Sequence, residues 1–315
     1  MDITIENFEA EVISASMRQP VLLDIWAPWC GPCRVLGPVL EKVEQAYGGR
    51  FALAKLNSDE QPEIAGQLSQ MFGVRSIPFC VLFKDGQPVD GFVGALPESQ
   101  VKAFLDRHVP SADELAAEED VADAQALLSE GDTEHALEKL QEAVALDPAN
   151  DAARCDYVCA LLRAGRVREA RAAYAPAAQR PLPDARLAAA GLWLQACERA
   201  PDARDEATLR AAIAANRRDF DARFELAQGL MAAQRWTDAM DELLEIVMRD
   251  KAWNDELARR TYVAILELMT KPAPAPAKAE AAASKGALEV AGRPSAPAGD
   301  PVIDQYRRKL SMALF

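Results

Sequence analysis

The first third of the chain alternates between short apolar runs and amphipathic stretches. Residues 21–27 (Val-Leu-Leu-Asp-Ile-Trp-Ala) form an apolar run that only Asp24 interrupts, and this predicts a central strand covered on both faces. Helical spacing follows over residues 34–47, a second strand is predicted over residues 51–56, and a second helix over residues 62–72. This strand-helix-strand-helix order favours parallel pairing of the two strands.

The pattern then changes to that of a hairpin. Two apolar runs, residues 77–83 and 88–93, flank a polar turn with the sequence Lys-Asp-Gly-Gln at residues 84–87. A last helix is predicted over residues 97–108. We therefore predict an α/β domain over residues 1–110, in which helices flank a central mixed sheet.

Alanine-rich helical periodicity replaces the strand signals from Ser111 onward. Gly131 and Ala136 recur as Gly165 and Ala170, a shift of 34 residues in both cases, and this is the period of the tetratricopeptide repeat. A small residue at such a position lets the two helices of one hairpin approach closely. The pattern indicates a domain built from repeated helical hairpins.

Further copies of the repeat follow. Leu140 and Tyr174 show the same 34-residue shift, and a third copy is centred on Ala239. A degenerate copy fits between about residues 185 and 216. We predict an all-α domain over residues 111–270 that contains three to four helical hairpins.

The last 45 residues differ from the repeats in composition. Residues 271–301 are rich in proline and alanine and lack large apolar residues, which predicts a flexible linker. An amphipathic helix is predicted over residues 302–315, and its apolar face carries Ile303, Tyr306, Leu310, Ala313 and Leu314. An apolar face at the end of a linker indicates a helix that docks on a partner protein.

Charge and composition limit the compartment and the partners. Acidic residues outnumber basic ones 49 to 35, and the net charge of -14 repels nucleic acid and anionic lipid. The first twenty residues lack the basic start and apolar core of a signal peptide, and no stretch reaches the roughly 18 apolar residues of a membrane span. Together with six unevenly spaced cysteines, these features predict a cytoplasmic protein that binds neither nucleic acid nor membrane.

Candidate chemistry lies in Cys30-Gly31-Pro32-Cys33, between a predicted buried strand and a predicted helix. At the helix N-terminus, Cys30 should form a stabilised thiolate that solvent can reach, and Cys33, one turn later, should be the buried resolving thiol. Cys30 would attack a substrate disulfide, and Cys33 would resolve the mixed disulfide. Asp24 is expected to accept the proton of Cys33, or else to be a hydrogen-bonded polar residue of the core.

Other interpretations of the cysteines remain open. The pair at Cys30 also fits half of a zinc site or a permanent structural disulfide, but zinc needs four ligands and the chain has only two histidines, so we expect no metal and no cofactor. The other four cysteines are predicted to be core residues, as are three tryptophans: Cys80, Cys155, Cys159, Cys197, Trp193, Trp236 and Trp253. Cys155 and Cys159 lie one helical turn apart and could also pair or bind a metal.

Residues 1–110 resemble the thioredoxin family. The resemblance rests on the motifs Trp29-Cys30-Gly31-Pro32-Cys33, Ala54-Lys55-Leu56-Asn57, Ser76-Ile77-Pro78 and Val93-Gly94-Ala95. It implies the thioredoxin fold and a catalytic set of Cys30, Cys33, Asp24 and Pro78, supported by Trp29, Gly31, Pro32, Lys55 and Ile77.

The same resemblance gives roles to two of these residues. Pro78 should follow a cis peptide bond and face the disulfide, where the neighbouring backbone pairs with an extended substrate peptide. Asp24 and Lys55 should form a buried pair behind the cysteines. Phe79 and Arg34 stand where the family usually has threonine and lysine.

The whole chain resembles the bacterial chaperedoxins, thioredoxin-like co-chaperones of the YbbN or CnoX type. The motifs are Arg249-Asp250-Lys251-Ala252-Trp253-Asn254-Asp255 in the last repeat and Asp300-Pro301, Tyr306-Arg307-Arg308-Lys309-Leu310 and Leu314-Phe315 in the tail. The resemblance implies a holdase that binds unfolding or oxidised clients, protects their cysteines by mixed disulfide and passes them to the GroEL chaperonin. Thioredoxin reductase or glutathione would be the reductant. In these relatives the last repeat runs almost directly into the terminal helix, whereas about thirty residues intervene here.

The terminal helix is the part that contacts the chaperonin in this family. The resemblance therefore implies partner-binding roles for Ile303, Tyr306, Arg307, Arg308, Leu310, Leu314 and Phe315. Two other functions fit the same sequence: a general protein-disulfide reductase whose repeats select targets, and a non-catalytic interaction scaffold. The presence of both Cys30 and Cys33 argues against the scaffold.

Overall fold

A computed structural model describes residues 1–180, 184–270 and 300–314 of the chain. The chain divides into two compact units, Met1–Leu115 and Ala116–Phe315, and each has its own hydrophobic core. Within the described ranges, no helix is long and apolar enough to cross a lipid bilayer.

The first unit contains a four-stranded sheet. Its elements are β1 Val21–Trp26, α1 Gly31–Tyr47, β2 Ala52–Asn57, α2 Pro62–Phe72, β3 Phe79–Lys84, β4 Gln87–Val93 and α3 Glu98–Leu105, preceded by a π-helical segment, Glu9–Ser14. The strand order is β2-β1-β3-β4, with β1 parallel to β2 and antiparallel to β3. The predicted α/β class, a mixed sheet flanked by helices, is confirmed.

Strand β1 is buried on both faces, as its apolar run predicts. Since successive side chains of a strand point to opposite faces, Leu23 and Ile25 enter a cluster that includes Leu68 of α2, whereas Leu22 enters a cluster with Leu36 of α1. The same alternation places Asp24 on the side of the sheet that α1 covers.

The second unit is entirely helical within its described residues. Helix α4, Ala112–Glu130, begins in the last four residues of the first unit and continues into the second. The helices that follow are α5 Thr133–Leu146, α6 Asp151–Arg163, α7 Val167–Ala178, α8 Ala185–Arg199, α9 Glu206–Ala215, α10 Phe220–Ala232, α11 Trp236–Arg249, α12 Trp253–Met269 and α13 Pro301–Leu314. Consecutive helices pack on each other from α5 to α8 and from α9 to α12. The predicted all-α repeat class is confirmed.

The small residues that revealed the repeat lie in two kinds of place: Gly131 and Gly165 are exposed, with positive φ angles, just after α4 and α6, and the alanines are buried inside helices. Ala136 of α5, Ala170 of α7 and Ala239 of α11 have no exposed surface. The predicted degenerate copy corresponds to α8 and α9. A 3-10 helix, Ala200–Asp202, lies between these two helices.

The tail was expected to be a linker followed by a free amphipathic helix. Residues 271–299 of the predicted linker 271–301 lie outside the described residues. Its last residue, Pro301, is the first residue of α13. Helix α13 packs on α11 and α12. The tail helix is therefore part of the core of the second unit.

Candidate active site

The turn between β1 and α1 brings two cysteines into a disulfide. Cys30 and Cys33 are bonded to each other, and their Cα atoms lie 5.3 Å apart. Cys30 is the N-cap of α1 in extended conformation, and its sulfur accepts a hydrogen bond of 3.2 Å from the main-chain nitrogen of Cys33. Pro32 fits the first turn because its missing N–H would have no partner there in any helix. The helix start thus points the main-chain N–H of Cys33 at the sulfur of Cys30.

Both cysteines of the disulfide are buried. Cys30 is 3% exposed and Cys33 is 5% exposed, and Ala27, Trp26 and Ile77 pack against the pair. The expectation that solvent reaches Cys30 concerns the reduced thiolate and stays a prediction, whereas Cys33 is buried as expected in this disulfide form.

The loop before β3 approaches the disulfide. The peptide bond between Ile77 and Pro78 is cis, as the resemblance implied, and Ile77 packs against the two cysteines. The main-chain carbonyl of Pro78 accepts a hydrogen bond of 2.8 Å from Gly94, at the end of β4. Phe79, which stands where threonine is usual, is buried as the first residue of β3.

An exposed surface borders the cysteines. Trp29 is 69% exposed, and its indole nitrogen donates to the carboxylate of Asp59 at 3.0 and 3.2 Å. Gly31 and Pro32 are exposed, and a Cβ atom at Gly31 would meet no atom within 4 Å. Open space therefore lies beside the disulfide, at the position where another chain would have to approach.

Asp24 is the buried carboxylate of this site. Its side chain lies in the middle of β1 and is 2% exposed. Burial raises the pKa of Asp24 from 3.8 to about 6, although a hydrogen bond from Cys80 and the charge of Lys55 act in the opposite direction. A carboxyl group with this pKa can take up and release a proton near neutral pH.

A small cavity connects Asp24 with the resolving cysteine. The cavity has a volume of about 170 Å³, and its lining includes Asp24, Trp26, Cys33, Arg34, Gly37, Pro38, Glu41 and Lys55. A cavity of this size is large enough to hold water, and Asp24 and Cys33 both line it.

Lys55 is arranged differently from the buried pair that the resemblance implied. Lys55 lies opposite Asp24 in the register of β1 and β2, but its side chain is only partly buried and its ammonium group forms an ion pair with Glu41 of α1. Glu41 was not predicted as part of this site. The helical spacing of α1 could have indicated it, because Glu41 lies two turns after Arg34 on the side that faces the cavity.

Cys80 is the second residue that the sequence did not assign to the site. Predicted as a core residue, it is fully buried in β3, and its thiol also donates a hydrogen bond of 3.6 Å to the carboxylate of Asp24. The other free cysteines are remote in sequence: Cys155 and Cys159 are buried with their sulfurs 4.0 Å apart, and Cys197 is partly exposed. No cluster of three or more potential metal ligands exists among the described residues.

The apolar face expected to bind a partner is covered by the chain itself. Ile303, Tyr306 and Leu310 are at most 8% exposed, and they belong to the core that contains α11 and α12. An apolar face gains free energy from any apolar surface within reach, and the last repeat supplies one. The expectation that these three residues are free for a partner is therefore wrong for this conformation.

The remaining predicted partner residues of α13 lie outside this contact or at its edge. Arg307 and Arg308 are exposed, Leu314 is partly buried, and Phe315 lies outside the described residues. The ammonium group of Lys251 donates a hydrogen bond of 2.6 Å to the carbonyl of Leu314. The two parts of the chaperedoxin-like tail motif, in the last repeat and in α13, thus contact each other.

Comparison with known proteins separates the chain into the same parts. The thioredoxin family profile matches residues 1–107, and tetratricopeptide repeat profiles match residues 127–194 and 199–283. Thioredoxin 1 of Synechococcus elongatus is 45% identical over 107 residues, which are 34% of this chain and 94% of that protein. Thioredoxin 1 of Nostoc sp. is 43% identical over 107 residues, with the same coverage.

A third relative gives a similar result over the same region. The thioredoxin of Haemophilus influenzae is 42% identical over 103 residues, which are 33% of this chain and 91% of that protein. The predicted arrangement, a thioredoxin domain followed by tetratricopeptide repeats, is confirmed. With the bonded pair of Cys30 and Cys33 in that domain, the first unit has a thiol-disulfide redox function.

Proposed function

We propose that this chain, which belongs to the thioredoxin family, is a redox-active co-chaperone that exchanges disulfides with protein clients bound by its tetratricopeptide repeats. The observation that supports the redox part most directly is the Cys30–Cys33 disulfide at the start of α1, with Asp24 buried in β1 behind it. Repeats of this kind offer extended surfaces for other proteins, which supports the client-binding part.

The exchange begins from the reduced form of the pair. The thiolate of Cys30 attacks one sulfur of a client disulfide, and the other client sulfur leaves as a thiolate, so that a mixed disulfide forms. The carboxylate of Asp24 takes the proton of Cys33 through the cavity that both residues line, and the Cys33 thiolate attacks the sulfur of Cys30. The second client thiolate leaves, and two electrons have passed to the client.

The loop at Ile77 and Pro78 positions the client in this proposal. Because this loop borders the disulfide and leads into β3, an extended client segment can hydrogen-bond to its main chain. Trp29 and Gly31, exposed beside Cys30, provide an apolar contact and room for the client backbone. Thioredoxin reductase or glutathione then reduces the Cys30–Cys33 disulfide.

A cysteine trap tests the redox part. In a Cys33→Ser variant the mixed disulfide at Cys30 cannot be resolved, so client proteins should accumulate as adducts on non-reducing gels. The matched control is the Cys30→Ser, Cys33→Ser double variant, which should yield none. Should the single variant capture no more protein than the double variant, the exchange mechanism is wrong.

The hand-over to GroEL belongs to the same proposal and rests on the resemblance of the tail. Since Ile303, Tyr306 and Leu310 are occupied within the second unit, GroEL must bind either the outward side of α13 or a released α13. If GroEL binds the outward side of α13, substitution of Arg307 and Arg308 by alanine should weaken GroEL co-purification. If GroEL binds a released α13, the same substitutions should have no such effect.

Deletion of residues 302–315 should abolish GroEL co-purification in both cases, while insulin reduction by the Cys30–Cys33 pair continues. Retention of GroEL by the deleted protein would contradict the hand-over. Efficient recycling by thioredoxin reductase together with an absence of holdase activity would instead favour a general disulfide reductase.

A further inference from the structure

The sheet register places Cys80 directly opposite Asp24. β1 and β3 pair antiparallel with Asp24 and Cys80 as Cα partners, and Lys55 is the partner of Asp24 on the other neighbouring strand. The sulfur of Cys80 lies 3.6 Å from Oδ1 of Asp24, within hydrogen-bonding distance for a thiol. Both residues are buried, with exposed fractions of 0% for Cys80 and 2% for Asp24. The thiol and the carboxyl group therefore meet out of contact with bulk water.

Cys80 can act only as a donor in this pair. Burial and the adjacent charge of Asp24 raise the pKa of the Cys80 thiol well above its usual value, so its sulfur keeps its proton at neutral pH. Asp24 is solely an acceptor while it is ionised, and its carboxylate accepts a hydrogen bond more strongly than the neutral carboxyl group does. The hydrogen bond consequently favours the carboxylate form of Asp24 and opposes the effect of burial.

The other groups around Asp24 are less direct. Cys33, Arg34 and Glu41 of α1 line the cavity that Asp24 also lines, and Lys55 faces Asp24 from β2. The ammonium group of Lys55 is held by Glu41 and affects Asp24 through its charge. Cys80 is the side chain from which Asp24 receives its hydrogen bond, among the residues that the structure describes.

We propose that Cys80 is a positioning residue for disulfide exchange: its S–H group holds Asp24 in the carboxylate form and in place, ready to take the proton of Cys33. This inference rests on the proposed role of Asp24 as the proton acceptor of Cys33. It adds a third cysteine to the site, one that never forms a bond to the client and never changes oxidation state during the exchange.

The consequence is a resolving step that works at lower pH. A carboxylate that receives a hydrogen bond remains ionised in more acidic solution than one in an apolar environment. Loss of a hydrogen bond of ordinary strength shifts a pKa by about 0.5 to 1 unit. Without the thiol, fewer molecules would have an ionised Asp24 below neutral pH, and Cys33 would attack more slowly there.

Three variants test this role in the full-length oxidised protein. Cys80→Val keeps a buried side chain of similar size and removes the donor, Cys80→Ser keeps a donor, and Leu82→Val changes packing two residues further along the same face of β3. The titration midpoint of the Asp24 carboxyl carbon, followed by NMR, should rise by about 0.5 to 1 pH unit in Cys80→Val. It should stay near the wild-type value in Cys80→Ser and Leu82→Val.

Kinetics provide a second measurement. Closure of the Cys30–Cys33 disulfide in a single turnover with a disulfide peptide should be roughly two- to fivefold slower at pH 6 in Cys80→Val, and little changed at pH 8.5. A loss of the same size at both pH values would indicate a packing defect and would overturn the proposal. An unchanged midpoint in Cys80→Val, or an equal rise in Cys80→Ser or Leu82→Val, would also overturn it.

The wild-type protein gives an answer even where a variant does not fold. The S–H stretching band of Cys80 in the Raman spectrum should move as Asp24 titrates, with the same midpoint as the carboxyl carbon, because ionised and neutral Asp24 accept differently. A band that is constant through this midpoint would overturn the proposal. The role of Asp24 itself is tested separately: an Asp24→Asn variant with an unchanged pH profile of closure would defeat the proton-acceptor role, whatever Cys80 does.

Discussion

The hydroxyl group of Tyr262 donates a hydrogen bond of 2.8 Å to the main-chain carbonyl oxygen of Tyr306, and both side chains are buried. The hydroxyl of Tyr306 in turn donates to Asp241 of α11 at 3.1 Å, and Lys309 approaches the same carboxylate at 3.0 Å. Helix α13 is thus attached to α12 and α11 by polar contacts as well as by its apolar face. Release of α13 would break these polar contacts, so that water would have to hydrate their donors and acceptors, and it would also expose the apolar face of α13.

Truncation of Tyr306 should detach α13 from the repeats. Tyr306→Ala removes the buried ring and the contact with Asp241, and the free energy of local opening of α13 should fall by about 3 kcal/mol. Amide hydrogen exchange measured on residues 301–314 reports this opening. Met312→Ala is the control on the same helix, because Met312 is 79% exposed, and it should leave exchange unchanged. Equal protection in all three proteins would show that the α13 contact does not depend on Tyr306.

Asp24 should make stability depend on pH. The carboxyl of Asp24 has a pKa of about 6 in the folded protein against 3.8 in its ordinary state, so the folded protein binds the proton more tightly. The resulting stabilisation is fully present below about pH 4 and is lost as pH rises through 6. The free energy of unfolding of Asp24→Asn minus that of wild type should therefore be about 2 to 3 kcal/mol larger at pH 7.5 than at pH 4, because only wild type loses this stabilisation.

Urea unfolding of the oxidised proteins at the two pH values measures this difference. Because both proteins are compared at each pH, the effects of the other titrating groups cancel. A relative stability that is the same at pH 4 and pH 7.5 would mean that Asp24 titrates normally in the folded protein.

Two helix glycines should respond to alanine with opposite signs. A Cβ atom at Gly191 of α8 would collide with the ring and hydroxyl of Tyr174, whereas a Cβ atom at Gly229 of α10 would meet nothing within 4 Å. Gly191→Ala should lower the free energy of unfolding by about 1 to 3 kcal/mol. Gly229→Ala should raise it by up to about 1 kcal/mol, since alanine is the better helix former.

Urea unfolding of the full-length protein checks both glycine predictions. Tyr174→Ala combined with Gly191→Ala removes the collision, so the second alanine should cost little in that background. A destabilising effect of Gly191→Ala that persists without the tyrosine ring would place its cause elsewhere.

The four free cysteines should react slowly in the native oxidised protein. Cys80, Cys155 and Cys159 are at most 4% exposed, and burial raises the pKa of the partly exposed Cys197 to about 11. Reaction of Cys197 with Ellman's reagent should therefore accelerate about tenfold per pH unit between pH 7.5 and 9.5. Cys197→Ser removes this phase, and urea should release the remaining thiols together. A rapid phase at pH 7.5 would indicate an exposed thiolate that the structure does not contain.

Local patterns predicted the elements of both units. The apolar run at β1, the polar turn before β4 and the recurrence of small residues at Ala136 and Ala170 each depend on neighbours within one element or one hairpin. The cysteine pair was recognisable for the same reason, because its spacing and its place at a helix start are encoded in four consecutive residues. These features could be predicted from sequence alone.

Contacts between residues that are distant in the sequence could not be predicted in this way. Asp24 and Cys80 are 56 positions apart, and only the β1–β3 register makes them partners. A shift of that register by one residue would turn Cys80 away from the carboxylate. The position of Lys55 beside Asp24 could be predicted. The ammonium group of Lys55, however, forms its ion pair with Glu41, and that contact depends on where α1 packs.

The sequence by itself determined which faces are apolar, roughly where most helices and strands lie, and that Cys30 and Cys33 can bond. The tertiary structure decided what covers each face and which charge or proton each polar side chain receives. The physical reason is range: the amphipathic period of α13 is set within a few residues, whereas its burial by α11 and α12 depends on which apolar surface is within reach once the whole chain has folded.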